Sequence, residues 1–152
     1  RLYLYDLRSH GIDLKLYLTA SGIYTDFIIK QYEYTRPGVY CGAKKGDVVI
    51  DGGGCFGDTA LYFSEKAGAS GRVFSFEFSD ENVEVFKKNL QLNPDYSSNI
   101  EIIEKAFWSN EKEQLYLVKD GPASYATTTE PLQYDKKVGT ESLDNLKRME
   151  RI

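Results

Sequence analysis

Four of the chain's 13 glycines fall within residues 52–57, directly after the apolar run Val48, Val49, Ile50. This crowding constrains the fold more than any other feature. Glycines are concentrated where the backbone must turn sharply, take up positive φ, or let another group approach closely. A short, unbroken apolar run is the pattern of a central parallel strand buried on both faces. From Asp58 the spacing becomes helical, with Ala60, Leu61, Phe63 and Ala67 on one face and Asp58 favouring the positive N-terminus. Gly68 and Gly71 end that helix.

The pattern then repeats. Val73, Phe74, Phe76 and Phe78 predict a second strand over 72–78. Ser79 is placed as an N-cap, Asp80 and Glu81 suit a first helical turn, Val83, Phe86 and Leu90 make the buried stripe, and Pro94 terminates it. Ile100, Ile102 and Ile103 form a third strand. Strand, glycine turn, helix, strand, helix, strand is the unit of a doubly wound parallel α/β sheet.

The flanks differ in composition. Residues 1–40 hold seven of the 12 tyrosines. Leucines before His10-Gly11 and strictly alternating Ile12, Leu14, Leu16 and Leu18 after it predict a hairpin turning at His10-Gly11. Ile23 and Phe27, with Gln31 or Tyr34, suggest a helix capped by Thr25 or Asp26 and ended by Arg36-Pro37-Gly38. The expected organisation is a covering segment over 1–40 and a main domain over 41–152, with Tyr24, Tyr32 and Tyr34 either closing over a pocket or packing the helix. After Ala106 the pattern weakens. Residues 115–118 suggest a strand, 119–139 an aperiodic loop, and 138–146 a new strand or short helix.

Composition removes several classes. A formal charge of -4, a pI near 5.1 and no basic run argue against a nucleic-acid partner. No apolar stretch approaches the roughly 18 residues of a membrane span. Cys41 and Cys55 are too few for a disulfide framework, so free thiols in a cytoplasmic setting are expected. His10 is the only histidine, which leaves no partner for a Ser-His-Asp triad or a histidine-based metal site.

The glycine turn selects among ligands by charge. Gly52, Gly54 and Gly57 satisfy the G-x-G-x-x-G spacing of dinucleotide binding, a weak signal alone. A dinucleotide would place its pyrophosphate on the helix N-terminus, yet Asp51 and Asp58 flank the turn. S-adenosylmethionine carries a sulfonium and an ammonium and no phosphate, so these carboxylates favour it. Glu77, near the end of the second strand, is positioned to accept from the cis hydroxyls of a ribose. Phe78 could stack on the adenine or fill the core.

The runs "GDVVIDGGGCFGDTALYF", "GRVFSFEFSDENVEVFKKNLQLN" and "NIEIIEKAFWSN", with a fainter echo at "GTESLDNL", resemble the FkbM family of class I methyltransferases. The resemblance runs from about residue 46 to 109. It implies a Rossmann-like class I methyltransferase sheet and methyl transfer from S-adenosyl-L-methionine to a hydroxyl of a saccharide or other small molecule. It implies further that Asp51, Gly53 and Gly57 line the methionine end, that Asp58 and Thr59 open the helix beneath it, and that Ala106 offers its backbone near the adenine. Ser79 stands where the family usually has proline. The family's fourth strand would follow residues 142–152, so the expectation is an apparently truncated sheet lacking its C-terminal half, with Val48 and its neighbours on an unpaired edge. No catalytic residue is assigned. A nicotinamide-dependent oxidoreductase and a non-catalytic fragment are the alternatives.

Overall fold

The computed structural model describes residues 1–119 and 125–148. The chain divides into two compact units, Arg1–Ile103 and Glu104–Ile152.

The first unit opens with the expected hairpin. Strands β1 (Tyr3–Asp6) and β2 (Lys15–Leu18) pair antiparallel, Tyr3 opposite Leu18 and Asp6 opposite Lys15. A 3-10 turn over Arg8–His10 closes on Gly11, whose φ of 76° is the left-handed region that glycine enters without steric cost. Leu7, Leu14, Leu16 and Leu18 are buried together with Phe27, Leu61 and Tyr62. The hairpin therefore contributes one wall of the core.

Thr19, not Thr25 or Asp26, caps the following helix, accepting from the Gly22 amide at 3.1 Å. Helix α1 (Ala20–Gly22) runs on as a π-helical segment, Ile23–Ile29, and stops at Lys30 with φ 55°. Thr25 lies inside it and donates back to the Ser21 carbonyl at 3.1 Å. The wider π winding, a form concentrated at functional sites, turns Asp26 and Phe27 inward, both buried. Tyr34 is not helical. It begins β3 (Tyr34–Arg36), which pairs with β4 (Val39–Cys41) across Pro37-Gly38.

The parallel sheet consists of β5 (Val48–Gly52), β6 (Arg72–Phe76) and β7 (Ile100–Ile103), in that spatial order. Val48 lies opposite Arg72, Gly52 opposite Phe76, and Phe76 opposite Ile103. The central strand is β6, where Val73, Phe74 and Phe76 are buried; β5 is an edge, with Val48 49% exposed. The reading of β5 as buried on both faces is corrected accordingly, whereas among the described residues β5 pairs with β6 alone, at the edge position expected for it. Helix α2 (Asp58–Ala67) follows β5 and buries Ala60, Leu61 and Ala67, as its spacing requires, together with Tyr62 and Ser64. Helix α3 (Asp80–Leu92) follows β6 and buries Val83, Phe86 and Asn89; α4 (Pro94–Ser97) leads into β7. Strand β6 ends two residues earlier than 72–78 suggests, which frees Glu77 and Phe78 to shape the turn into α3. This is the expected α/β arrangement, Rossmann-like over its three strands.

The second unit contains β8 (Ala106–Phe107), β9 (Gln114–Val118), β10 (Tyr125–Thr127), β11 (Lys136–Glu141) and α5 (Leu143–Arg148). Its sheet has the order β10-β9-β11-β8. Leu115, Leu117, Val138 and Leu146 are buried. The span read as a loop over 119–139 thus contains β10 and the start of β11, while residues 120–124 lie outside the described residues. Strand β10 and the first residues of β11 escape an apolar-run search because β9 supplies the buried leucines and they carry polar residues such as Thr127, Lys136 and Lys137, whereas the strand or short helix expected over 138–146 is met by the rest of β11 and α5. Among the described residues no helix is long and apolar enough to cross a membrane.

Candidate functional site

The glycine turn is tied to the sheet by its own backbone. The amides of Gly53 and Gly54 both donate to the Phe76 carbonyl, at 3.0 and 2.8 Å, and Gly57 donates to Gly54 at 2.6 Å. Two of the glycines are dictated by what lies beneath. A Cβ on Gly54 would fall 2.0 Å from Ser75 Oγ, and one on Gly57 would fall 2.1 Å from the Phe86 ring. Gly53 differs. Its φ is 99° and the space where a side chain would project is open, so its backbone is accessible to a ligand.

Carboxylates surround this turn. Asp51, at the end of β5, is buried, and its Oδ2 accepts from Thr59 Oγ1 at 2.8 Å and Ser75 Oγ at 2.7 Å. Burial pushes its carboxyl above the usual range, against those two hydrogen bonds, and the charges of Asp26 and Glu77 act in the same direction as burial. Asp58, the first residue of α2, is also buried. Its carboxyl is raised to about 8, first by burial and then by a hydrogen bond and charge repulsion from Asp26. Asp26 in turn accepts from Gln31 Nε2 at 2.5 Å and Thr25 Oγ1 at 3.3 Å.

Glu77 is 7% exposed rather than a surface residue. Its Oε1 accepts from the amides of Phe78 and Ser79, both at 2.7 Å, and its Oε2 accepts from Asn82 Nδ2 at 3.2 Å. Glu77 therefore satisfies the two amides at the entry to α3, while Ser79 stands at the expected N-cap position without a side-chain capping bond, its hydroxyl donating to Glu81 at 3.1 Å. A carboxylate has about four acceptor sites, so capping leaves Oε2 capacity for a further donor.

The front segment reaches the same place. Tyr32 stacks against Phe63 and Tyr62, with ring centroids 5.2 and 6.1 Å apart. Burial raises its hydroxyl pKa, and so do the charges of Asp26, Asp51 and Asp58. Tyr24 and Tyr34 are exposed. Tyr62 donates to Glu33 Oε1 at 2.5 Å, and Lys66 Nζ lies 3.2 Å from the same oxygen. Cys55 has φ 44°, and burial pushes its thiol up to about 12, helped by Asp58 and Glu77, so it is a poor nucleophile.

Of the residues singled out in the sequence, Asp51, Gly53, Gly57, Asp58, Thr59 and Glu77 gather around one turn of the first unit, with Phe78 half-buried beside Glu77. Ala106 belongs to the second unit, where it is buried and pairs with Thr140. Asp26 was not singled out for chemistry. An acid at helical spacing beside Phe27 on an apolar face would have been its signal.

Comparison with family models gives no match, and comparison with curated proteins gives none either. Solved structures do match. A SAM-dependent methyltransferase from Aquifex aeolicus shares 20% identity over 62% of this chain and 44% of its own, with a TM-score of 0.43. A SAM-dependent O-methyltransferase from Thermotoga maritima shares 16% over 70% of this chain and 36% of its own, with a TM-score of 0.42. Aeropyrum pernix fibrillarin, solved with natively bound S-adenosyl-L-methionine, shares 25% over 41% of this chain and 26% of its own, with a TM-score of 0.36. The chain thus spans less than half the length of each of these structures.

Proposed function

We propose that this chain binds S-adenosyl-L-methionine at residues 51–59 and 77–78 as part of a methyltransferase that methylates a hydroxyl of a saccharide or other small molecule. One observation carries the reading: Asp26, Asp51, Asp58 and Glu77 converge on an open glycine turn between a parallel strand and a helix. That field suits a ligand with sulfonium and ammonium groups and opposes a pyrophosphate. When bound, the sulfonium supplies an activated methyl group for in-line displacement by the acceptor oxygen.

The chain's own residues supply binding and orientation. Gly53 leaves its face of the turn open, Asp51 offers Oδ1, and Asp58, once ionised, offers negative charge for the ammonium group. Glu77 Oε2 accepts from a ribose hydroxyl, Thr59 fixes Asp51, and Phe78 flanks the adenine. Rate enhancement then rests on proximity and on removal of the acceptor hydroxyl proton. The formal charge of -4 supports a small acceptor over a polyanion. Membership of the FkbM family and a cytoplasmic location, both suggested by the residues quoted above, are parts of the same proposal.

Isothermal titration with S-adenosylhomocysteine and, separately, with NADH tests it. Binding of the first, weakened at least about tenfold by Asp51→Ala, is the expected result. Binding of NADH alone would reverse the assignment to an oxidoreductase.

A further inference from the structure

Asn89 lies on α3 one turn beyond Phe86, the ring that fills the space under Gly54 and Gly57. It is fully buried. Its Oδ1 accepts from the Tyr17 amide at 2.7 Å, and its Nδ2 donates both to the Tyr17 carbonyl at 3.0 Å and to the Phe56 carbonyl at 2.8 Å. Both Nδ2 protons are thereby spent, one on the hairpin and one on the glycine turn. One side chain holds together two segments that are 39 positions apart in sequence, Tyr17 and Phe56.

Asn93, one helical turn further on, serves as an internal comparison. It clamps the same strand by the same chemistry, accepting from the Lys15 amide at 2.9 Å and donating to the Lys15 carbonyl at 2.8 Å. Its second proton goes to the Asn89 carbonyl at 2.6 Å, within α3, and not to the turn. The two asparagines therefore share the hairpin role, and Asn89 alone adds a contact to the turn.

The structure assigns Asn89 as a positioning residue that couples docking of the N-terminal hairpin to the conformation of the ligand-binding turn. The turn carries three positive-φ residues in a row of five, Gly53, Cys55 and Gly57, and such a backbone keeps one arrangement only when its surroundings over-determine it. Phe86 supports it from below, and the Asn89–Phe56 bond fixes the carbonyl next to Cys55. Loss of the hairpin bonds lets the amide rotate away, and the Phe56 carbonyl of the turn loses its fixed donor. The assignment relies on the proposed function only for the identity of the ligand used as a probe.

Hydrogen exchange of the intact, ligand-free chain tests it. Asn89→Ala is expected to speed exchange of the amides in residues 52–57 about tenfold, the equivalent of one hydrogen bond, and Asn93→Ala less than about twofold. Tyr17→Pro removes the amide that Asn89 accepts from while leaving both Asn89 and Phe56 in place, and is expected to speed turn exchange about fivefold by freeing the Asn89 amide to rotate. Equal acceleration by Asn89→Ala and Asn93→Ala, or no acceleration by Tyr17→Pro, overturns the coupling. Should Asn89→Ala fail to fold, the Tyr17→Pro result decides alone. In wild-type protein, S-adenosylhomocysteine is expected to protect the Tyr17 amide as well as the turn, because coupling is reciprocal. Protection confined to the turn also overturns it. Absence of binding, by contrast, sinks the proposed function and leaves the ligand-free comparison to decide the coupling.

Discussion

Ser75, fully buried near the C-terminal end of β6, donates its hydroxyl to Oδ2 of Asp51 at 2.7 Å. The parallel register places the two residues opposite one another, and Thr59 donates to the same oxygen from α2. Both anchoring bonds fall on Oδ2, and among the described residues Oδ1 takes none. The strand pairing thus aims one carboxylate oxygen at the sheet and leaves the other for a ligand. Ser75→Ala removes a donor without altering the burial that raises the Asp51 carboxyl. The expected outcome is a loss of about 1–3 kcal/mol in stability and a further upward shift of the Asp51 titration. Denaturant unfolding and carboxyl-detected NMR measure the two, and an unchanged titration would count against the assignment.

Gly53 and Gly57 look alike in sequence and differ in what surrounds them. Gly57→Ala must place a methyl group against the Phe86 ring in a left-handed backbone, and a cost of about 3 kcal/mol or more is expected. Gly53→Ala meets open space, so only the backbone term of roughly 1–2 kcal/mol applies. If the open side receives the ligand, Gly53→Ala still weakens S-adenosylhomocysteine binding more than tenfold, on the order of one lost close contact. Thermal unfolding and calorimetry on the two variants separate these effects. Wild-type affinity in Gly53→Ala would remove that glycine from the site.

Asp58 makes stability pH-dependent in an unusual direction. Its carboxyl titrates at about 8 in the folded chain and at about 3.9 when unfolded. Between these values the folded state binds more protons, so stability falls as pH rises from about 4 to about 8. Asp51, shifted the same way by burial, adds to the slope. Asp58→Asn is expected to flatten this part of the profile and to stabilise the chain at pH 8 by on the order of 1–3 kcal/mol, with little change near pH 4. Ligand affinity should run oppositely, rising with pH as Asp58 ionises. Urea unfolding at closely spaced pH values provides the check, and a parallel profile for the variant contradicts the pairing.

The parts of the fold that were legible in the sequence are those in which local pattern and tertiary environment agree. The 52–57 glycines, the Ala60/Leu61/Ala67 face of α2 and the Val83/Phe86 stripe of α3 each satisfy propensity and burial together. The exposure of β5 was not legible in its own residues, because Val48, Val49 and Ile50 are as apolar as β6, and its edge position was expected only from the family resemblance. Strand β10 was hidden for a related reason, since its partner β9 contributes the buried leucines, whereas the strand or short helix expected over 138–146 corresponds to the end of β11 and to α5. Asp26 could not be placed because its role depends on π winding, which has no marker in the spacing of Ile23 and Phe27. Glu77 was found for its position, but its capping of α3 requires β6 to stop at Phe76, and nothing in the aromatic run 74–78 marks that stop.

Glu77 is the residue whose two roles can be separated. As a cap it satisfies the amides of Phe78 and Ser79 through Oε1, a contribution of about 1 kcal/mol, up to 2. As a ribose acceptor it would use Oε2, which already takes Asn82 Nδ2 at 3.2 Å. Glu77→Gln keeps a carbonyl oxygen for the two amides and loses the charged acceptor. Stability is therefore expected to fall by less than about 1 kcal/mol, while binding of S-adenosylhomocysteine weakens about tenfold or more through loss of a charge-assisted bond. The diagnostic comparison is with an analogue lacking the ribose 2′-hydroxyl. Wild type should prefer the intact ribose, and Glu77→Gln should lose most of that preference. If both proteins discriminate equally, Glu77 is a helix cap and the ribose is held elsewhere.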